Sequence, residues 1–227
     1  MANKIESKII GNCVKITKMV STDREIVVPD TLDGRPVTSL GDRFLAGSPS
    51  TDNRVLTIPA SVTSFGKDFL SGMTRISRID YLGEFTTLSN AGITAEFDCT
   101  VTAMHDGRMI SFDFLSGFPM SFPGFDRELL AASFRISPEI AMKRLSEPVL
   151  LDEDSRKGYE TYMLRRIMPM AERAVTGNDP KALSDLYSTG LLGTEELRTL
   201  LETSVRSGKT SMTSVIMGMI RSNCSEL

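Results

Sequence analysis

The chain has 227 residues, 41% of them hydrophobic and 24% charged, with a formal net charge of -3. That length suffices for one large domain or two small ones, each with its own core. The acidic balance excludes the broad basic footprint of a nucleic-acid-binding protein, and the longest apolar stretch near the end, Val215 to Ile220, is far short of a membrane span. The opening MANKIESKII has neither an apolar h-region nor a small-residue cleavage site, which points to the cytoplasm. A chain trimmed at its N-terminus would leave a cell-surface location open. Cys13, Cys99 and Cys224 are dispersed and odd in number, so reduced, buried thiols are expected and not a disulfide framework.

The first half repeats itself. Ile26 to Ser48 (IVVPDTLDGRPVTSLGDRFLAGS) aligns with Leu56 to Thr74 (LTIPASVTSFGKDFLSGMT). Val37-Thr-Ser-Leu40-Gly41 recurs as Val62-Thr-Ser-Phe65-Gly66, Phe44-Leu45 as Phe69-Leu70, and Gly47 as Gly72, each pair 25 residues apart. Pro29 and Pro59 lie 30 apart, because the first unit carries five extra residues around Leu32-Asp33-Gly34-Arg35. The alternating Val-Thr-Ser-Leu and Leu-Thr-Ile segments read as short strands. The prolines end strands, where a missing amide donor does little harm. Gly41 and Gly66 suit a sharp turn, and Phe44 and Phe69 are expected as anchors pointing into a stack. One such unit cannot cover its own apolar face, so neighbours must stack and share a core.

Ile-Pro, Val-Thr-Ser-Phe-Gly, Phe and Ser-Gly in this order, followed by Ile76-Ser-Arg-Ile79, resemble the BspA-type leucine-rich repeat family. Val14-Lys-Ile16-Thr17 and Glu25 through Val37 resemble its first repeat, so the likeness covers about Gly11 to Gly83. Ser48 and Met73 stand where the family often has Cys, and Phe44 and Phe69 lack the common preceding Ala; these read as packing substitutions. The resemblance implies a solenoid used for protein interaction or adhesion.

Residues 93–115 read as a hairpin. Asp106-Gly107 is a favoured two-residue turn, and it sets Ala103 against Ile110, Val101 against Phe112 and Cys99 against Phe114, apolar against apolar. This hairpin is expected to continue or cap the repeat sheet, with residues 116–126 and their two Phe-Pro dipeptides as a loop beyond it. Helical signals follow. Ser137-Pro138-Glu139 opens a helix that Pro148 ends. A stripe from Tyr159 to residue 174 is interrupted by Pro169, so a kink or two helices are expected. Asp179-Pro180 opens the next helix and Gly190 closes it. Thr194 opens another, with Leu197, Leu200, Leu201 and Val205 on one face and Gly208 at its end. Met212, Val215, Ile216, Met219 and Ile220 stripe the last. Gly177 through Leu192 loosely resembles an ankyrin-like helix pair, without that motif's Thr-Pro-Leu-His element.

The chemical motifs favour structural readings. Ser207-Gly208-Lys209-Thr210 resembles the end of a phosphate-binding loop, but Thr203 stands where that loop needs Gly and no strand precedes it, so a helix C-cap is expected. His105 is the sole histidine and is read as a solvated flank of the turn, which leaves almost no material for a His-based metal site or a nucleophilic triad. Asp152-Glu153-Asp154 reads as a helix start favoured by the dipole. Lys143-Arg144 and Arg165-Arg166 read as solvated helix faces.

The expected fold is α+β: a short leucine-rich-repeat β-solenoid with a hairpin cap over 1–125, then an all-α, ankyrin-like helical domain over 126–227. The expected function is a non-enzymatic protein-interaction module or adaptor. It has a protein partner, no cofactor, no metal, and neither nucleic acid nor membrane as ligand; the oligomeric state stays open. A cell-surface adhesin and an enzyme with an unfamiliar site are the alternatives. Side chains alternating with buried strand positions mark Thr38, Thr57 and Thr63 as candidate protein-binding residues. Arg75, Arg78 and Tyr81 join them at the edge of the stack, as common interface anchors.

Overall fold

In the computed structural model, residues 4–48, 53–72 and 75–225 are described. Met73 lies outside them. The chain divides into two compact units, Met1–Phe125 and Asp126–Leu227. Among the described residues, no helix is long and apolar enough to cross a membrane.

The first unit is a β-solenoid of about four coils built on two sheets. One sheet runs β1 (Lys4–Ile10), β2 (Cys13–Val20), β5 (Arg35–Leu40) and the short β4 (Thr31–Leu32), with β7 (Ser64–Phe65) also paired to β5. The other runs β10 (Arg108–Phe114), β9 (Cys99–His105), β8 (Ile76–Glu84), β6 (Arg54–Ile58) and β3 (Glu25–Val27). The coils meet in parallel, β2 with β5 with β7 and β3 with β6 with β8 with β9. An antiparallel hairpin ends each sheet: β1 on β2 in the first, β10 on β9 in the second.

Stacking puts like residues side by side. Ile26, Leu56, Ile79, Val101 and Phe112 form one row in register across the second sheet, and all are buried. Phe44 and Phe69 stack with ring centroids 5.9 Å apart and planes 19° off parallel. The five extra residues of the first repeat close a small hairpin, Leu32 opposite Arg35, with Asp33 and Gly34 both at positive φ. The glycines divide their roles differently from the sequence expectation. Gly47 and Gly72 take the left-handed conformation, at φ 89° and 78°. Gly41 and Gly66 are not at positive φ; they are small because the coils touch. A Cβ on Gly66 would stand 2.4 Å from the Asp42 amide nitrogen, and one on Gly41 3.1 Å from Thr17 Cα. Ser48 is more than a packing substitution: its buried hydroxyl accepts from Ser21 N at 2.9 Å and donates to Met19 O at 3.3 Å. Buried Arg54 donates to the carbonyls of Ser48 and Ser21 at 3.1 Å each.

The β9–β10 hairpin has the expected register, Ala103 opposite Ile110, Val101 opposite Phe112 and Cys99 opposite Phe114, around a turn with Asp106 and Gly107 at positive φ. His105 is more sheltered than a solvated flank, with Nε2 3.5 Å from the Asp106 carboxylate. Residues 93–98 are not part of the hairpin; Thr94 bridges Pro119 instead. The segment after β10 is more ordered than a loop. Phe118, Phe122 and Phe125 join Phe85 (on α1, Phe85–Ser89), Phe112 and Phe114 in one aromatic cluster, with centroid distances of 5.0 to 6.3 Å. Helix α2 (Gly124–Ala131) then begins inside the stretch read as a loop.

The second unit is helical: α3 (Pro138–Ser146), α4 (Glu153–Leu164), α5 (Ile167–Thr176), α6 (Pro180–Tyr187), α7 (Thr194–Arg206) and α8 (Thr210–Ser225) follow α2 and a 3-10 turn at Ser133–Arg135. The caps are where the sequence places them. Ser137 Oγ accepts from Ile140 N, Asp152 Oδ1 from Ser155 N and Asp179 Oδ1 from Ala182 N. Pro169 sits in the first turn of α5, and the helical run is interrupted at Arg165 and Arg166, between α4 and α5. Helices α5 with α6 and α7 with α8 pack as consecutive pairs. Gly208 caps α7 at φ 67°, and Lys209 N donates back to Ser204 O, so the Ser-Gly-Lys-Thr segment is a helix end.

Two readings of this unit are corrected. Val205 faces solvent at 64% exposure, and Ser204 is buried in its place, its hydroxyl 2.9 Å from that of Thr213. Arg144 is not on a solvated face. It is 2% exposed and grips Asp126, itself 0% exposed, with Nε and Nη2 each 2.8 Å from a carboxylate oxygen. Tyr159 donates to the same carboxylate at 2.8 Å, and burial raises its phenol pKa above the ordinary value.

Candidate protein-binding face

In a β-ladder, directly paired residues point to the same side and neighbours alternate. The buried row Ile26–Leu56–Ile79–Val101–Phe112 therefore assigns the two flanking rows of the second sheet to its outer face. One is Glu25, Val55, Arg78, Thr100 and Asp113; the other is Val27, Thr57, Asp80, Thr102 and Ser111. The rows are tied together. Arg78 Nε donates to Asp80 Oδ1 at 2.7 Å, and Thr102 Oγ1 donates to the same oxygen at 2.9 Å. Thr100 Oγ1 donates to Asp113 Oδ1 at 2.6 Å. The Arg78–Asp80 pair is open to solvent, with Arg78 55% exposed, so it adds little stability. Its effect is positional: Asp80 takes bonds from two strands and holds the guanidinium over the sheet.

The six sequence candidates do not form one surface. Thr57 and Arg78 stand on this outer face, and Arg75 is exposed at the entry to β8, at φ 42°. Thr38 is half-buried on β5 of the other sheet, and Thr63, exposed just before β7, donates its amide to Thr38 O at 3.0 Å. Tyr81 is a correction. Alternation from Ile79 turns it inward, where it pairs with Ile58, is 1% exposed and donates its hydroxyl to Val62 O at 2.7 Å. Burial pushes its phenol pKa up. It anchors two coils to each other and cannot touch a partner.

Sequence reasoning missed Asp80, Thr100, Thr102 and Asp113. The Asp106-Gly107 turn does place Thr102 opposite Ser111 and Thr100 opposite Asp113, a local signal. Nothing local sets the parallel register of β8 on β9 that brings Asp80 to Thr102.

An open groove of about 440 Å³ runs past Arg75, Phe97 and Asp98, and a more enclosed one of about 360 Å³ past Lys67, Asp68 and Glu96. Among the described residues no group of three His, Cys, Asp or Glu side chains is placed to hold a metal ion. Cys99 is buried, and its thiol is pushed up to about 12, by burial first and then by the Asp98 and Asp113 carboxylates. Such a thiol is a poor nucleophile.

No protein-family model matches the sequence, and no curated protein does. Among solved structures, the chain is similar to a leucine-rich cell-surface protein from Faecalibacterium prausnitzii A2-165, with 21% identity and a TM-score of 0.30. The match covers 44% of this chain and 30% of that one.

Proposed function

We propose that this chain is a non-enzymatic protein-interaction module, an adaptor built on BspA-type leucine-rich repeats, which docks a protein partner on the outer face of the β3–β6–β8–β9–β10 sheet. The observation that carries this reading is the pair of in-register outer rows, held on rigid strands and cross-linked through Asp80. A surface whose side chains are already fixed loses less entropy when a partner arrives. Arg78 supplies a pre-positioned cation with a hydrocarbon stem, a common interface anchor. Thr57 and Thr102 supply hydroxyls beside it, and Val27 leaves an exposed apolar end to the second row. The rows also carry Glu25, Asp80 and Asp113 against this single cation, so a partner strand or loop with carbonyl acceptors and basic side chains fits this pattern.

The test is affinity capture from the native cell with the full chain as bait, then titration of the captured protein. Changing Arg78→Ala together with Thr57→Ala is expected to weaken binding at least tenfold, as loss of one anchor and its neighbour does. Tyr81→Phe, which changes only an inward hydroxyl, should leave binding unchanged. A partner held equally well by the Arg78/Thr57 double variant removes this face as the docking surface.

A further inference from the structure

Strand β1 ends its sheet, and among the described residues only β2 pairs with it. Ile5, Ser7 and Ile9 stand opposite Met19, Ile16 and Val14, all buried, so they lie on the inner face. Yet Ile9 is 61% exposed: the apolar inner face runs past the last covering residue and stops at an open edge. The backbone along that edge is available too. The Glu6 carbonyl accepts from the Thr17 hydroxyl at 3.1 Å and is thus turned toward β2. Strand alternation then directs the N–H and C=O groups of Ile5, Ser7 and Ile9 away from β2.

Within the strand Lys4-Ile-Glu-Ser-Lys-Ile-Ile10, the segment from Ile5 to Ile9 is complementary to its own reverse about Ser7, with Lys4 and Ile10 outside the match. Laid antiparallel on a second copy, Ser7 meets Ser7, Ile5 meets Ile9, and Glu6 meets Lys8. The outward backbone groups of Ile5, Ser7 and Ile9 are the ones such a register pairs, and the apolar pairs fall on the face already apolar. The charges fit in a further way. Within one chain Lys8 stands opposite Lys15, two like charges side by side, while Glu6 stands opposite Lys18. Glu6 of a second copy would flank Lys8 on its open side and offset that repulsion.

We propose that β1 is a homodimerisation strand: two copies of this chain join by antiparallel β1–β1 pairing about a two-fold axis at Ser7, making one continuous sheet. The pairing is isologous, so it closes at two copies and leaves no further edge at the junction. It uses the opposite sheet from the proposed docking face, and the two proposals stand or fall separately.

Sedimentation equilibrium of the full chain over a concentration series tests it. Wild type should show a reversible monomer–dimer equilibrium. Lys8→Glu sets Glu against Glu twice per dimer and should weaken association roughly tenfold, and Glu6→Lys likewise by Lys against Lys. The double variant Glu6→Lys/Lys8→Glu restores opposite charges and should recover most of the affinity. Lys8→Glu also replaces the Lys8–Lys15 contact by an attractive pair, so its loss of dimer cannot be charged to unfolding; melting curves check this. Ser7→Pro removes an outward amide without touching the β2 ladder and should give monomers that melt as wild type does. A chain monomeric at every concentration, a dimer indifferent to the single reversals, or a double variant as weak as the singles would each overturn the proposal.

Discussion

The two units differ in what chiefly organises their interiors, although the solenoid too buries a charge, Arg54, against backbone carbonyls. The solenoid brings equivalent apolar positions into contact coil after coil, as with Phe44 on Phe69 and the row from Ile26 to Phe112. The helical unit has no such repeat to copy, and at its start it closes around charge. Asp126 on α2, Arg144 on α3 and Tyr159 on α4 form one buried network that ties three helices to a single point. Stacking gives specificity through shape; the helical unit obtains it through pairing that is costly to misplace.

The sharpest way to break that comparison is to remove one member from each interior. Arg144→Ala leaves the Asp126 carboxylate buried without its cation and should cost about 3–5 kcal/mol. Phe69→Ala opens a cavity and should also cost about 3–5 kcal/mol. The repairs differ. Replacing all three polar residues together, Asp126→Leu with Arg144→Met and Tyr159→Phe, should cost far less than Arg144→Ala alone, because a buried ion pair and a packed apolar group are nearly equivalent in energy. Adding Phe44→Ala to Phe69→Ala only enlarges the void. Amide exchange of α2, α3 and α4 under increasing urea reads the first set, and exchange of β2, β5 and β6 the second. If the triple replacement is as unstable as Arg144→Ala, the network contributes net stability and the contrast between the units is lost.

A smaller contrast concerns what stands next to a glycine. In the solenoid, a Cβ on Gly66 meets backbone: Asp42 N at 2.4 Å and Gly41 C at 2.5 Å. Neither can move without shifting a coil, so Gly66→Ala should cost about 1–3 kcal/mol. In the helical unit, a Cβ on Gly158 meets only the tip of the Leu130 side chain, at 2.8 Å. That tip can turn away, and alanine gains about 1 kcal/mol of helix propensity. Gly158→Ala should therefore be near neutral or stabilising, read as the shift in thermal midpoint. Equal losses at both positions would show that the coils are no more rigidly spaced than the helices.

What could be read from the sequence follows the same division. The repeat was legible because stacking makes equivalent positions alike, so Val37 and Val62, or Phe44 and Phe69, announce each other. The hairpin register was legible because Asp106-Gly107 sets it locally, and the helix starts because Ser137, Asp152 and Asp179 cap within three residues. Arg144 was not: its partner Asp126 lies eighteen residues earlier, and no local spacing distinguishes it from the exposed arginines at 165 and 166. Helix α2 was hidden behind two Phe-Pro dipeptides that resemble a loop. At the candidate face, Thr57 follows from alternation and Arg78 from its place at the stack edge, but the edge reading fails for Tyr81, which alternation from Ile79 turns inward. Asp80 escaped because its bond to Thr102 depends on a parallel register that only the folded sheet sets.

The smallest effect concerns a group at the margin of the apolar solenoid. Cys99 sits on β9 opposite Phe114, with Asp98 and Asp113 nearby, and its thiol is pushed from 9.0 up to about 12, chiefly by burial. Below pH 9 the thiol is protonated whether the chain is folded or not, and pH has no purchase through it. Between 9 and about 12 the unfolded chain releases a proton that the folded chain keeps, so folding stability falls as pH rises, by at most about 1.4 kcal/mol per pH unit from this group. Tyr81 and Tyr159 are shifted in the same sense, so wild type should lose stability at alkaline pH for more than one reason. Cys99→Ala keeps the site apolar without overpacking it and removes the thiol's share. Urea midpoints at pH 8, 9 and 10 should therefore fall less steeply in the variant than in wild type. Parallel slopes would mean that water reaches the Cys99 thiolate, and that the solenoid interior is less dry at its hairpin end than between its coils.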